Sequence, residues 1–199
     1  PACTVQNVLN WANIKAGDRV ALVGAGYMGQ LTLMGLSAYP WGSLTVFEKR
    51  EDRLAMMDRY SITECWNPET TEGQAAIERI IQGRDHVIEF SASDDGFALA
   101  QRLLTPTQGR LTVGSWHRHE MKFDGTKWHM GGVIVNNVSP MTTFHYEDVI
   151  LPTAKLIQRG VYKPGTLVTH VANFRDCKHV FDCSVTKEEG YIKGVITFD

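Results

Sequence analysis

Runs of apolar residues alternate with amphipathic stretches along most of the chain. Short continuous apolar runs predict strands buried on both faces of a sheet, at 19–24, 44–48, 62–67, 86–92, 109–115 and 132–137. Apolar residues at helical spacing predict helices at 27–38, 51–60, 72–82, 95–104 and 147–160. Strands that alternate with helices are typical of βαβ units, so the pattern predicts an α/β fold built on a six-stranded, parallel, doubly wound sheet.

The two ends of the chain follow a different pattern. Residues 1–13 predict an amphipathic helix, and residues 1–17 form a lead-in helix and linker before the main unit at 18–163. Lys163-Pro164-Gly165 reads as a second linker. After it come a strand ending "LVTH", a short helix at 175–186 and a strand at 191–198, so residues 164–199 are expected to belong to another structural unit.

Composition narrows the class of protein. The 199 residues are 43% hydrophobic and 21% charged with a net charge of −2, which is typical of a soluble globular protein and offers no basic surface for nucleic acid. No apolar run approaches the roughly 20 residues that span a bilayer. Cys3, Cys65, Cys177 and Cys183 form no C-x-x-C pair, which argues against a disulfide scaffold or zinc knot and favours a reducing, cytoplasmic location.

A glycine motif lies between the first predicted strand and the first helix after it. In "VGAGYMG", Gly24 would allow a sharp turn, Gly26 would let the backbone approach a pyrophosphate, and Gly29 would let the helix pack closely on the strand. The phosphates would then lie among the free N–H groups of a helix N-terminus. Because this motif has the strand and helix that a dinucleotide site requires, it predicts such a site rather than a plain turn.

An acid at the end of the second strand selects the nucleotide. Glu48 lies nineteen positions past Gly29, where a carboxylate can accept hydrogen bonds from both adenosine ribose hydroxyls. Its charge would repel a 2′-phosphate, so we expect a preference for NAD(H) over NADP(H). Lys49, Arg50 and Arg53 follow directly and either line the adenine edge, remain solvated, or accommodate a phosphate.

These residues also resemble a known family. "IKAGDRVALVGAGYMGQLTLMGLSAY", "LTVFEKREDRLAMM", "VIEFSAS", "ALAQRLLTPTQGRLTVGS" and "KLIQRGVYKPGTLVTHVANFRDCKHVFDCSV" are similar, in order and spacing, to the medium-chain, zinc-alcohol-dehydrogenase-like superfamily. The resemblance covers nearly the whole chain and is strongest to the polyol and amino-alcohol dehydrogenases. It implies a Rossmann domain that binds NAD in an oxidoreductase acting on an alcohol or polyol by hydride transfer.

The resemblance also implies what this chain lacks. Family members carry a GroES-like catalytic domain with the zinc ligands before this point, and "PACTVQNVLNW" resembles the segment that leads from it. We therefore expect a fragment in which residues 164–199 belong to that mostly absent catalytic domain, with any zinc bound there and no metal site in this chain. Alone, the chain should bind NAD(H) weakly and catalyse nothing.

The resemblance assigns a cofactor-binding role to individual residues of this chain, according to their positions in the family's motifs. The resemblance implies that the glycine motif and its intervening residues face the pyrophosphate, that the acid and bases after strand two face the adenosine, and that the ends of strands four to six face the nicotinamide. The residues so assigned are Gly24, Gly26, Tyr27, Met28, Gly29, Glu48, Lys49, Arg53, Ser91, Ala92, Gly114, Ser115 and Asn136.

Other polar residues are weaker candidates. His117 and His119 would share one face of a strand and could bind a metal, but without a third ligand a loop at the substrate mouth or a subunit contact is favoured. His170 is expected to be a hydrogen-bonded structural histidine. Asp94 and Asp95 are expected to cap the next helix.

The sequence is also compatible with two other functions and with a homo-oligomer. The glycine motif also suits a non-catalytic NAD-binding or sensing module and, less well, a methyltransferase that uses S-adenosylmethionine. The sixth strand, "GVIVNN", is expected at a sheet edge, where it could pair with its copy in a homo-oligomer.

Overall fold

A six-stranded parallel sheet forms the centre of the computed structural model, which describes residues 1–140 and 147–199. Its strands are β1 (Arg19–Val23), β2 (Ser43–Phe47), β3 (Glu64–Trp66), β4 (His86–Glu89), β5 (Arg110–Val113) and β6 (Ile134–Asn137). They lie in the order β3-β2-β1-β4-β5-β6. This confirms the predicted α/β, doubly wound fold and places β6 at one edge.

Helices cover both faces of this sheet. They are α1 (Ala2–Ala12), α2 (Tyr27–Leu36), α3 (Glu51–Leu54), α4 (Thr71–Ile80), α5 (Asp94–Leu103), α6 (Gly125–Gly131) and α7 (Glu147–Gln158). Alternate residues of β1 point to opposite faces, as a strand requires. Val20 and Leu22 join one hydrophobic core with α1 and α2, whereas Ala21 and Val23 join a second core with α4 and α5.

Three elements differ from the sequence predictions. The helix predicted at 51–60 ends at Leu54, and a 3₁₀ turn at Met57–Arg59 follows, because the chain bends to bury Met57 in the first core. The stretch after β5 contains α6, where Asp124 caps the helix by accepting a hydrogen bond from the Lys127 N–H at 3.0 Å. Ser93, rather than Asp94 or Asp95, caps α5 by accepting from the Gly96 N–H at 3.2 Å.

Residues 164–199, called the C-terminal segment, contain further helical and strand elements. Two 3₁₀ turns (Pro164–Leu167 and Phe174–Asp176) accompany β7 (His170–Asn173), α8 (Lys178–Thr186) and β8 (Gly194–Thr197). β7 and β8 pair in parallel, separately from the main sheet. Leu167 and Ile192 nevertheless belong to the first core, so the segment is anchored to the six-stranded unit. Within the two described ranges, no helix is both long and apolar enough to span a membrane.

Candidate functional site

A cleft of about 770 Å³ opens at the carboxyl ends of β1, β2 and β4 and runs between α4 and α5. This is where an open, doubly wound sheet binds its ligand. Six of the predicted cofactor residues line it, namely Gly24, Gly26, Glu48, Lys49, Arg53 and Ser91. The structure thus brings together the glycine motif, the acid of strand two and the turn after strand four.

Two glycines of the motif are required by the protein's own packing. Gly24 has φ +93°, a conformation that favours glycine, and an added Cβ would lie 2.7 Å from the Ser91 backbone nitrogen. At Gly29 an added Cβ would overlap the carbonyl oxygen of Gly24. These two positions therefore explain the sharp turn and the close approach of α2 to β1.

The middle glycine, Gly26, is not required by packing. Its φ of −68° suits any residue, and the nearest atom to an added Cβ would be Arg53 Nη1, at 3.5 Å. Gly26 lies at the N-terminus of α2, which has no side-chain cap. The glycine therefore keeps open a space beside the first N–H groups of α2, which have no hydrogen-bond partner within residues 1–140 and 147–199, and that space fits the pyrophosphate of a dinucleotide.

Glu48 follows β2 and is only 5% exposed. Its Oε2 accepts a hydrogen bond from the Ala25 N–H at 2.7 Å, and its Oε1 accepts from the Arg50 N–H at 3.1 Å. A carboxylate offers about four acceptor sites. Each oxygen therefore keeps capacity toward the cleft while the backbone fixes its position beside the glycine motif.

Arg53 lies between Glu48 and the glycine motif. Its Nη1 is 3.5 Å from Glu48 Oε2, and its side chain is 17% exposed. Its Nε is buried without a hydrogen-bond partner in the described part of the chain. A half-buried cation next to Gly26 suits an anionic ligand, and it also offsets part of the charge of Glu48.

Arg50 and Asp52 connect this region to the C-terminal segment. Arg50 pairs with Asp52 at 2.5 Å, and its guanidinium donates to the carbonyl oxygens of Lys187 and Glu188. Asp52 Oδ2 accepts from the Gly190 N–H at 2.7 Å. The hydrogen bond from Arg50 lowers the pKa of Asp52 to about 2. The loop at 187–190 is therefore held by an ionised pair two and four residues after Glu48.

A second buried carboxylate, Glu89, ends β4 and was not identified from the sequence. It accepts hydrogen bonds from the Ser91 N–H and Oγ, both at 2.6 Å, and from the Ala92 N–H at 3.1 Å. The Ser115 hydroxyl also donates to Glu89. His117 Nε2 donates to it at 2.9 Å. Glu89 thus orders the turns after β4 and β5. The sequence feature that could have identified Glu89 is the one that identified Glu48, an acid at the end of an apolar strand.

The other predicted cofactor residues do not line the cleft; they are Tyr27, Met28, Gly29, Ala92, Gly114, Ser115 and Asn136. The Tyr27 ring lies 5.3 Å from Lys193 Nζ of the C-terminal segment. Asn136 Nδ2 donates to the Trp11 carbonyl at 3.0 Å, which directs it toward α1. Sequence reasoning also missed cleft residues contributed by helices, such as Gln74 and Leu99, because no local motif marks them.

His117 and His119, the two candidate metal ligands of the loop after β5, face different carboxylates. His117 Nε2 binds Glu89, whereas His119 Nε2 lies 2.6 Å from Asp94 Oδ1, and the two rings are 6.5 Å apart. They therefore do not converge on one point. Among residues 1–140 and 147–199, the group of histidine, cysteine and acidic side chains that does converge lies in the C-terminal segment.

Comparison with known proteins agrees with this architecture. The chain is 24% identical over 197 residues to the uncharacterized zinc-type alcohol dehydrogenase-like protein YdjJ of Escherichia coli K12, covering 98% of this chain and 55% of that protein. It is 22% identical over 188 residues to D-xylulose reductase A of Aspergillus oryzae, covering 91% of this chain and 51% of the reductase. Its homologues are zinc-type medium-chain alcohol dehydrogenases. The chain matches their C-terminal half, and no family model matches it.

Solved structures show the same fold. An oxidoreductase of unknown specificity from Escherichia coli superposes with a TM-score of 0.86 at 25% identity, covering 100% of this chain and 56% of that one. Acetophenone reductase from Geotrichum candidum, solved in complex with NAD, gives a TM-score of 0.81 at 13% identity, covering 99% and 53%. The chain therefore spans about half the length of the proteins it matches.

Proposed function

We propose that this chain binds NAD(H) and is the cofactor-binding part of an oxidoreductase that acts on an alcohol or polyol. The observation that carries the proposal is Gly26: the fold does not need a glycine there, yet its missing side chain leaves space at an uncapped helix N-terminus. Neighbouring structures that contain NAD support the same cofactor.

Three groups would hold the adenosine diphosphate part of the cofactor. The first N–H groups of α2 and the cationic Arg53 would bind the pyrophosphate. Glu48 would accept from the ribose hydroxyls with the capacity that Ala25 and Arg50 leave free. Lys49, which is 63% exposed and 3.9 Å from Glu69, would lie at the adenine edge. These roles predict a preference for NAD(H) over NADP(H).

The nicotinamide end of the cofactor would lie near the turns after β4 and β5. When bound, the nicotinamide supplies the redox chemistry that interconverts an alcohol and a carbonyl compound. Glu89 would fix the backbone N–H groups of Ser91 and Ala92 and the hydroxyl of Ser115 near that end of the cofactor. Gly114 and Asn136 stay predicted neighbours of the nicotinamide. Substrate-binding and catalytic groups, including zinc, are predicted on residues outside this chain.

We also propose that the chain divides after residues 17 and 163. The C-terminal segment carries many exposed apolar side chains: Val171, Phe174, Phe181, Val185, Val195 and Phe198. The rings of Phe174 and Phe198 stack 5.3 Å apart, and exposed apolar contacts of this kind are typical of a surface that another unit covers. It supports assigning residues 164–199 to the catalytic unit of the longer homologues. Pairing of β6 with its copy and a cytoplasmic location likewise remain predictions.

Calorimetric titration of the chain with NAD⁺, NADH, NADP⁺ and S-adenosylmethionine tests the proposed function. We expect binding of NAD⁺ and NADH, weaker binding of NADP⁺ and none of S-adenosylmethionine. Binding of S-adenosylmethionine alone would identify a methyltransferase and contradict the proposal. Dehydrogenase turnover by the isolated chain would show that its catalytic residues lie within it.

A further inference from the structure

Three side chains with metal-binding atoms converge in the C-terminal segment. His170 begins β7, Cys183 lies on α8, and Glu188 lies in the loop after α8. One ligand atom from each lies within 4.8 Å of the others. His170 Nε2 is 3.0 Å from Glu188 Oε1. Residues distant in sequence are therefore brought to one point by the packing of a helix on a two-stranded sheet.

A fourth side chain with metal-binding atoms, His179, lies beside this group and contacts it through Cys183. His179 precedes Cys183 by four residues on α8, so both side chains share one face of the helix. Cys183 Sγ lies 3.5 Å from His179 Nε2 and 3.6 Å from its Nδ1. The rings of His179 and His170 are 6.4 Å apart. We refer to His170, His179, Cys183 and Glu188 as the C-terminal cluster.

The histidine at the base of the cluster is already oriented. His170 Nδ1 lies 2.9 Å from Thr169 Oγ1, which leaves Nε2 directed at Glu188. The Thr169 hydroxyl itself accepts from the Ile192 N–H at 3.0 Å. Histidines that bind metals commonly use their second nitrogen in this way, because the outer hydrogen bond fixes the ring.

We propose that the C-terminal cluster binds one zinc ion. Its ligand set would be one thiolate, two imidazoles and one carboxylate, which are the donors that zinc prefers. Zinc–ligand bonds of about 2.0–2.3 Å place donor atoms about 3.3–3.6 Å apart in a tetrahedral site. His170, Cys183 and Glu188 would close from separations of up to 4.8 Å to meet this geometry. His179, whose Nε2 is 3.5 Å from Cys183 Sγ but which lies outside that group of three, would turn its ring toward them.

The site would have a structural role. The cluster joins β7, α8 and the 187–190 loop, and the same loop is bound by Arg50 and Asp52 beside the nucleotide cleft. The segment exposes much of its apolar surface, so its own core is small, and small units of this kind are often stabilised by a metal. Zinc would therefore fix the segment on the main unit. This inference does not depend on nucleotide binding.

Cobalt substitution tests the proposal directly. The chain is purified without a histidine tag and titrated with Co²⁺ under reducing conditions. We expect one equivalent to produce a thiolate-to-cobalt charge-transfer band together with the intense visible bands of tetrahedral coordination, and Zn²⁺ to abolish both. Wild-type protein that produces no charge-transfer band would overturn the proposal.

Matched variants then locate the site. Cys183→Ser should remove the charge-transfer band, whereas Cys177→Ser, at the N-terminus of the same helix, should keep it. A band that survives Cys183→Ser would contradict the assignment. If Cys183→Ser does not fold, the exposed positions decide: Glu188→Gln and His179→Gln should each weaken Co²⁺ binding at least about ten-fold. Unchanged Co²⁺ affinity in both variants would also refute the proposal.

Discussion

Two buried carboxylates on either side of β1 have different surroundings. Glu89, at the end of β4, accepts hydrogen bonds from two backbone N–H groups, two hydroxyls and a histidine. Glu48, just after β2, accepts from two backbone N–H groups and lies 3.5 Å from Arg53. Both are acids that follow an apolar run. The difference indicates that Glu89 holds the protein's own turns, whereas Glu48 keeps capacity for a ligand.

The largest expected effect concerns the stability role of Glu89. Glu89→Gln replaces one acceptor oxygen by an amide that faces donors, so buried donors lose their partner. We expect the free energy of unfolding to fall by about 3 kcal/mol, measured by urea denaturation. Glu78→Gln, an exposed acid paired with Arg102, should change it by less than about 0.5 kcal/mol. If both substitutions lowered the free energy of unfolding equally, Glu89 would have no special role in holding the turns, and it would not differ from Glu48 in that respect.

The next largest effect is expected at Gly26, in the cleft beside Glu48. Gly26→Ala adds a methyl group that meets no atom closer than Arg53 Nη1 at 3.5 Å, so stability should change little. The same methyl group would occupy the proposed pyrophosphate position, and we expect NADH affinity to fall about 100-fold, or about 2.7 kcal/mol. Gly29→Ala should instead destabilise the fold, because its Cβ overlaps the Gly24 carbonyl. Undiminished NADH binding by Gly26→Ala would contradict the proposed pyrophosphate position beside Gly26.

His86 begins β4, the strand that Glu89 ends, and it is also fully buried. Burial lowers the pKa of His86 from 6.5 to about 3. Its Nε2 lies 2.9 Å from Thr112 Oγ1, and its buried Nδ1 has no hydrogen-bond partner among the described residues. Between about pH 3 and pH 6.5 the unfolded chain binds a proton at His86 that the folded protein does not bind. Stability from neutral His86 is therefore complete above pH 6.5 and decreases as the pH falls toward 3, by up to roughly 1.4 kcal/mol per pH unit.

Urea denaturation between pH 7 and 5 measures this slope, in a range above the titration of most carboxylates. His86→Gln should flatten it. A variant with the wild-type slope would mean that another group is responsible for the acid sensitivity.

The smallest expected effect concerns the strained turn around Glu89. Ala92 donates its N–H to Glu89 from a left-handed conformation with φ 55°. Ala92→Gly should relieve this strain and raise the free energy of unfolding by up to about 1 kcal/mol. Ala98→Gly, within α5, should lower it by a similar amount. A loss of stability in Ala92→Gly would show that the turn is not strained.

The contrast between the two acids also shows how far the sequence could predict the molecule. The strands, the glycine motif and the position of Glu48 depend on local apolar runs and on spacing along one βαβ unit, so they could be predicted. The partners of Glu89 come from the separate turns after β4 and β5, and no spacing rule joins them. The C-terminal cluster likewise depends on how α8 packs on β7, which explains why scattered cysteines and histidines gave no metal motif.

The most direct test of the account is the ratio of NADH to NADPH affinity, measured by calorimetry in three proteins. The wild-type chain should favour NADH. Glu48→Gln should reduce that preference about ten-fold, equivalent to about 1.4 kcal/mol. Glu69→Gln, an acid on the wall of the same cleft that is 67% exposed, should leave the preference nearly unchanged. An unaltered ratio in Glu48→Gln, or an equal loss in both variants, would mean that Glu48 does not contact the ribose.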